Sequence, residues 1–457
     1  MSPGLDPRTG SLLVPPLDRR EMGLALLERL PVGGGYARQL TTASTTASTL
    51  RGALERAPTV DLGDPAAAGW TYLIAADDPH RDAIAGAVRP LAEARGMEDP
   101  SRPLEFEGDD PADWTDWMLE RYWRIERAPP HYVLIVGGPD RVPFHFQSVL
   151  DSAASVGRVA FDDVADLAAY VEKLLRFERE PPCRREAVVF ATDHGVEDPT
   201  HFSRRYLAEP VADRVGPALE AAPHVLAGED ATRDRLLAAV GASRPALLFT
   251  ASHGAGLVGA PQAEQERING AIVCQGEELL TAHDVPDGPF VEGGVVLQFA
   301  CFGYGTPASS DFAHWLGKNT LNAEADFVAA LPKRLLAHPR GPAAYVGHVD
   351  LAWLHAFADP DDPVMDELWH PRAWPFASAV DNVLAPRTLG MAMVEMNKRF
   401  DIGNAQMAST FDRQRRGTLD IADPRVLERL VDHFITRSDA QNWLLFGDPA
   451  FHLAFAA

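Results

Sequence analysis

ALLFTASHG (Ala246–Gly254) and VVLQFACFG (Val295–Gly303) decide the fold of this 457-residue chain. Each is an unbroken apolar run that stops at a reactive side chain and a glycine. A run that is apolar throughout, with no alternation, predicts a strand buried on both faces, as in a parallel sheet covered by helices. The same grammar recurs outward along the chain. TYLIAA (Thr71–Ala76) stops at Asp77-Asp78-Pro79, YVLIV (Tyr132–Val136) at Gly137-Gly138-Pro139, and AVVFAT (Ala187–Thr192) at Asp193-His194-Gly195. Ala343–Val346 runs into Gly347-His348-Val349-Asp350. Between these runs, Leu167–Phe177, Thr232–Val240, Phe327–Leu336, Thr388–Phe400 and Arg425–Phe434 carry helical spacing, with Thr232 placed as an N-cap. The expected class is α/β: a mostly parallel sheet flanked by helices, preceded by a smaller α/β subdomain. Pro181-Pro182 sets the expected boundary between residues 66–180 and a catalytic domain at 181–457. Residues 1–65 read as an irregular or linker-like segment, with the low-complexity stretch TTASTTAST at Thr41–Thr49. Arg413-Gln414-Arg415-Arg416-Gly417 reads as an exposed basic loop.

The formal net charge of −23 argues against nucleic acid or an anionic membrane as partner, because both are bound by neutralising phosphates with Lys and Arg. Three cysteines, Cys183, Cys274 and Cys301, make no disulfide framework and no zinc spacing. No apolar run reaches membrane-spanning length and no secretory leader is read at Met1–Asp6, so the expectation is a cytoplasmic protein. Gly33-Gly34-Gly35 and Gly137-Gly138 lack the spacing of phosphate loops, so no cofactor is expected. His348, Asp350 and His355 fall at no compact metal spacing, so no metal is expected either.

The chemistry lies at two strand ends. A thiol becomes a nucleophile when an imidazole takes its proton. In an open parallel sheet, ligands bind beyond the carboxyl ends of the strands. His253 and Cys301 each follow a strand directly, so both should emerge at that edge, 301 − 253 = 48 residues apart. Taken singly, such a Cys is a small buried apolar group and such a His is structural; the pair, in this order and at this spacing, carries the reading. Gly254 presents an unobstructed N–H, and the Gly254 and Cys301 amides are the expected oxyanion hole. Cys183 and Cys274 read as structural. His194-Gly195 is a rival His-Gly pair, ranked below His253.

Ser252-His253-Gly254 and Gln298-Phe299-Ala300-Cys301-Phe302-Gly303 resemble the His-Gly and Gln-Ala-Cys-x-Gly signatures of caspase-like (clan CD) cysteine peptidases. Phe299, inserted between Gln298 and Ala300, departs from the strict caspase pattern and is closer to the gingipain and CHAT branches. YVLIVGGPDRVP (Tyr132–Pro143), VGRVAFDDVADLAAYVEKLLRFE (Val156–Glu178) and NWLLFGDPAFHL (Asn442–Leu453) resemble segments of the gingipain type. The resemblance implies a caspase-like sheet, endopeptidase activity on a protein or peptide, and latency until a trigger or an activating partner protein acts. It also implies an acidic residue that holds a basic P1 side chain, a place filled here by Asp193, with Asp350 and Trp353 lining the pocket. If P1 is basic, Arg413–Arg416 is a self-processing site. The alternative from another class is a non-catalytic scaffold of the same fold that binds a partner protein.

Overall fold

The computed structural model describes residues 4–14, 18–29, 60–108, 111, 113–124, 129–313, 322–358 and 371–456. The Thr41–Thr49 stretch lies outside them. The principal sheet has ten strands, numbered in chain order: β1 (Trp70–Ala75), β2 (Leu104–Phe106), β3 (Tyr132–Val136), β4 (Ser155–Val159), β5 (Arg184–Ala191), β6 (His224–Ala227), β7 (Pro245–Ala251), β8 (Val295–Phe299), β9 (Ala344–His348) and β10 (Trp443–Phe446). They lie side by side in the order β2-β1-β3-β4-β10-β9-β8-β7-β5-β6. The expected α/β class, a mostly parallel sheet flanked by helices, is the one observed.

The direction of the strands divides this sheet. Among the described residues the only antiparallel pairing in it is β9 with β10, where Tyr345 opposes Phe446. β10 is parallel to β4 on its other side. Two parallel halves, β2-β1-β3-β4-β10 and β9-β8-β7-β5-β6, therefore point in opposite directions, and their carboxyl edges lie at opposite ends. The sheet runs unbroken past the Pro181-Pro182 boundary, because the late strand β10 pairs with β4 of the first half.

The continuous apolar runs are explained by burial on both faces. In β3, Tyr132, Leu134 and Val136 enter one core while Val133 and Ile135 enter another. In β1, Trp70, Tyr72 and Ile74 join the first core and Leu73 and Ala75 the second. Alternate residues of a strand point to opposite faces, so a strand with a core on each side must be apolar at every position. Arg81–Ala94 packs on Val164–Arg179, and Val394–Arg415 packs on Pro424–Gln441.

The other segments of the expected resemblance prove to be joints of the fold. Buried Arg95 donates to Asp448 (2.8 Å) and pairs with Glu178, and Asp448 also accepts from the Trp70 indole at 2.9 Å. Gly157 admits the chain here: a Cβ on it would lie 2.1 Å from the Gly447 carbonyl oxygen. Arg158, fully buried, donates to the Gly137 carbonyl (3.0 Å), the Pro143 carbonyl (3.2 Å) and Gln147 Oε1 (3.0 Å). Lys173 caps the end of Ala330–Ala337 by donating to the Leu336 and His338 carbonyls, which ties the two halves together.

Two sequence readings need correction. The region 1–65, expected to be irregular, contains a hairpin (Gly4–Asp6 and Ser11–Leu12) and the helix Arg19–Arg29. Both gain their order by docking: Leu5, Val14, Met22 and Leu26 are buried, each such burial being worth about 1.5–3 kcal/mol. The expected basic loop at Arg413–Arg416 is the end of the 22-residue helix Val394–Arg415. Arg415 and Arg416 fold back on Asp412, and Gly417, at φ +66°, closes the helix. The basic cluster is thus helical, not the extended chain a peptidase would need.

Candidate functional site

β7 and β8 are neighbours, and their last paired residues are Ala251 and Phe299. Two residues further along each chain stand His253 and Cys301, with the Ser252 N–H still bonded to the Phe299 carbonyl at 3.2 Å. The pairing offset, 299 − 251, equals the offset 301 − 253. The two residues therefore follow neighbouring parallel strands by the same number of positions. The strand ends that carry the two residues are thus neighbours, as the spacing in the sequence predicts.

The imidazole has a partner that the sequence reading missed. His253 Nε2 lies 3.0 Å from Asp198 Oδ2. The same carboxylate caps the helix Pro199–Ser203, accepting from the Thr200 N–H at 2.8 Å. Burial opposes ionisation of Asp198, but the His253 hydrogen bond and charge and the Thr200 donors hold its pKa down to about 2. With Nε2–H given to a carboxylate, the basic nitrogen of His253 is Nδ1. In the sequence, Asp198-Pro199-Thr200 carries only the signal of an N-cap followed by proline at N1. His194, the rival histidine, stacks on His253 with ring centroids 5.3 Å apart. Burial first, and then the neighbouring His253, push its imidazole below the usual histidine range.

The thiol sits in a strained turn. Phe302, directly after Cys301, has φ +57°, and Asp350 has φ +69°. Left-handed backbone in bulky residues is uncommon and concentrates at functional sites. One bond joins these two positions: the Phe302 N–H donates to the Asp350 carbonyl at 2.7 Å. Cys301 Sγ accepts from the Ala352 N–H at 3.2 Å, a donor that favours the thiolate. Gln298 fixes the turn by donating to the Gly270 carbonyl at 3.1 Å and accepting from Tyr345. Gly254 is required by contact: a Cβ there would lie 1.9 Å from the Cys301 carbonyl oxygen and 2.7 Å from its nitrogen. The two amides expected to form the oxyanion hole thus belong to backbones in contact.

His253 and Cys301 are almost wholly shielded, at 1% and 0% exposure. Cys183 and Cys274 are equally buried, and burial pushes both thiols up to about 12. Cys301 differs from both in accepting the backbone N–H of a distant residue, Ala352, at its sulfur.

The specificity residues are placed as follows. Asp193 stands at the end of β5, on the same edge as His253, with its carboxylate already engaged by His201 (3.1 Å) and Arg204 (3.1 Å). Asp350 turns inward: it accepts from Ser310 Oγ (2.7 Å) and the Asp311 N–H (2.9 Å), and burial, aided by the Asp311 charge, raises its pKa to about 6. The Trp353 ring packs on Phe312 at 4.9 Å, and its backbone N–H donates to Asp439 at 3.2 Å. Asp439 also accepts from Trp443 and contacts His348, so it organises the loop above the thiol. Among the described residues no group of His, Cys, Asp and Glu could hold a metal, and no helix is long and apolar enough to cross a membrane.

No family model matches the chain, and no curated protein is similar to it in sequence. Among solved structures, one designated "Structure of Protease" is similar, with 10% identity, 85% of this chain and 79% of that chain covered, and a TM-score of 0.47.

Proposed function

We propose that the protein is a cysteine endopeptidase of the caspase-like kind, closest to the gingipain and CHAT branches, acting through Cys301 and His253. The observation that supports it best is the convergence of three groups from separate segments: the thiol after β8, the imidazole after β7, and the Asp198 carboxylate 3.0 Å from that imidazole. His253 Nδ1 takes the Cys301 proton, and the thiolate attacks the scissile carbonyl. The developing oxyanion is held by the Gly254 and Cys301 amides. The imidazolium, stabilised by Asp198, gives its proton to the leaving amine, and water then hydrolyses the thioester.

Preference for Arg or Lys at P1 belongs to the same proposal, with Asp193 as the acid and Asp350 and Trp353 shaping the wall. A basic P1 residue would compete with Arg204 for the Asp193 carboxylate, in the geometry that arginine already uses. The buried thiol fits a cytoplasmic enzyme kept latent until a trigger or partner opens it. It equally favours a second reading, a scaffold of this fold whose site never opens. A fluorogenic peptide library varied at P1, offered to wild type and Cys301→Ala, tests the proposal. Cleavage that disappears in the variant supports it, and preference for Arg or Lys supports Asp193. Cleavage surviving in Cys301→Ala sinks the assignment.

A further inference from the structure

A second, smaller sheet runs Leu279–Leu280, Ile272–Val273, His253–Ala255, Gly4–Asp6, Ser11–Leu12. Its centre is the strand that begins at His253. On one side that strand has its own antiparallel neighbour, Ile272–Val273. On the other it pairs in parallel with Gly4–Asp6, a segment about 250 residues away, with Gly4 opposite Gly254 and Leu5 opposite Ala255. The Gly256 N–H donates to the Leu5 carbonyl at 2.9 Å. Leu5 is buried against Ala255, Ala271 and Val273. Gly4 lies over the nucleophile: a Cβ on it would stand 3.3 Å from Cys301 Sγ, 3.3 Å from Leu351 and 3.0 Å from Leu13.

An extended segment that bonds by its backbone to an edge beside a nucleophile, sinks one side chain in an apolar pocket and crosses the sulfur is placed as a bound peptide would be. We propose that the edge of His253–Ala255 now paired with Gly4–Asp6 is the rail on which an extended peptide docks, and that residues 4–14 are its internal occupant. This rests on the reading of Cys301 as nucleophile. The hairpin covers a thiol of 0% exposure, so it must leave the rail before any peptide reaches the sulfur. The fit over the sulfur is tight and favours a small residue such as glycine, while Leu5 marks a pocket for an apolar side chain one residue further along. The helix Arg19–Arg29, packed on Pro424–Gln441 with Gly23 against Leu427, can hold the displaced segment to the body.

The test is the rate at which iodoacetamide alkylates Cys301 in the native chain, read by mass spectrometry, with Cys183 and Cys274 as internal controls. Wild type is compared with Leu5→Asp and with a chain lacking residues 1–14. Both variants should alkylate Cys301 about tenfold faster or more, with the other two cysteines unchanged. Unchanged rates with the fold intact by circular dichroism overturn the proposal. If either variant unfolds, all three cysteines react, and hydrogen exchange on wild type decides. The Gly256 amide should then exchange about tenfold faster than amides of Ala246–Ala251, and equal protection would overturn the proposal. Alkylation separates this inference from the peptidase reading. Faster alkylation without hydrolysis of any peptide leaves the hairpin as the cover and removes the peptidase. Hydrolysis by wild type with unchanged alkylation removes the hairpin's role alone.

Discussion

The two halves of the principal sheet are both parallel, yet only one carries the proposed catalytic edge. In the first half, β1, β3 and β4 end at a cleft of about 180 Å³ lined by Asp78, His80, Gly137, Gly138, Asp140, Arg141 and Asp162. Several of its charges are paired: Arg141 with Asp77 at 3.3 Å and Lys333 with Asp162 at 2.7 Å. No cysteine lines it, and the turn at Gly137-Gly138 uses glycine where the backbone needs a positive φ. In the second half the corresponding edge holds a thiol, an imidazole and a carboxylate, with bulky residues forced to positive φ at 302 and 350. A shared scaffold thus supports two different edges, and chemistry is a property of the loops. At the first edge the positive φ falls on glycine, Gly137, whereas beside Cys301 it falls on Phe302 and Asp350.

Substitutions should separate the halves. His253→Ala is expected to lower peptide hydrolysis by about 10³-fold, whereas Asp140→Ala in the first-half cleft should leave it within about twofold. Equal losses would erase the distinction. Asp448→Ala should cost about 3–5 kcal/mol of stability in urea unfolding, because it leaves Arg95 buried without its main partner. The pH profile of any surviving activity should not move. Asp198→Asn should lower hydrolysis about tenfold to a hundredfold and should also lower thermal stability near neutrality, where the carboxylate's contribution is full. In acid the sign is fixed. The folded pKa of Asp198 is depressed, so its contribution is full above about pH 4 and is lost as pH falls towards about 2; the Asn variant should lack that acid limb. Asp350 works the other way. Its folded pKa is raised to about 6, so the native state holds a proton that the unfolded chain releases near pH 4, and stability falls as pH rises between these values. Asp350→Asn should flatten that slope by a few degrees in Tm between pH 4.5 and 6.5.

What could be read in the sequence was local. YVLIV (Tyr132–Val136) is a strand over the residues its pattern predicts, and Thr232 caps Arg233–Ser243 through a bond from the Arg235 N–H. The placement of His253 and Cys301 after neighbouring strands was legible because each motif follows its strand directly. What was hidden depends on distant partners. β2 and β6 are edge strands of three and four residues, too short to carry a distinct apolar run. β10 looks like the tail of a helical region, and only its place between β4 and β9 makes it central. Asp198 looks like a cap, since nothing local shows that its second oxygen reaches a residue at position 253. The hairpin at residues 4–14 looks irregular because its order is supplied by a strand about 250 residues away.

The most direct test of the central claim is hydrolysis of a diverse peptide pool, read by mass spectrometry, with wild type, the chain opened by Leu5→Asp, and the Cys301→Ala form of each. The account predicts new cleavage products from the opened chain at the least, all of them lost on removal of the Cys301 thiol. Products that persist without that thiol, or silence from the opened chain with Cys301 accessible to iodoacetamide, would contradict it.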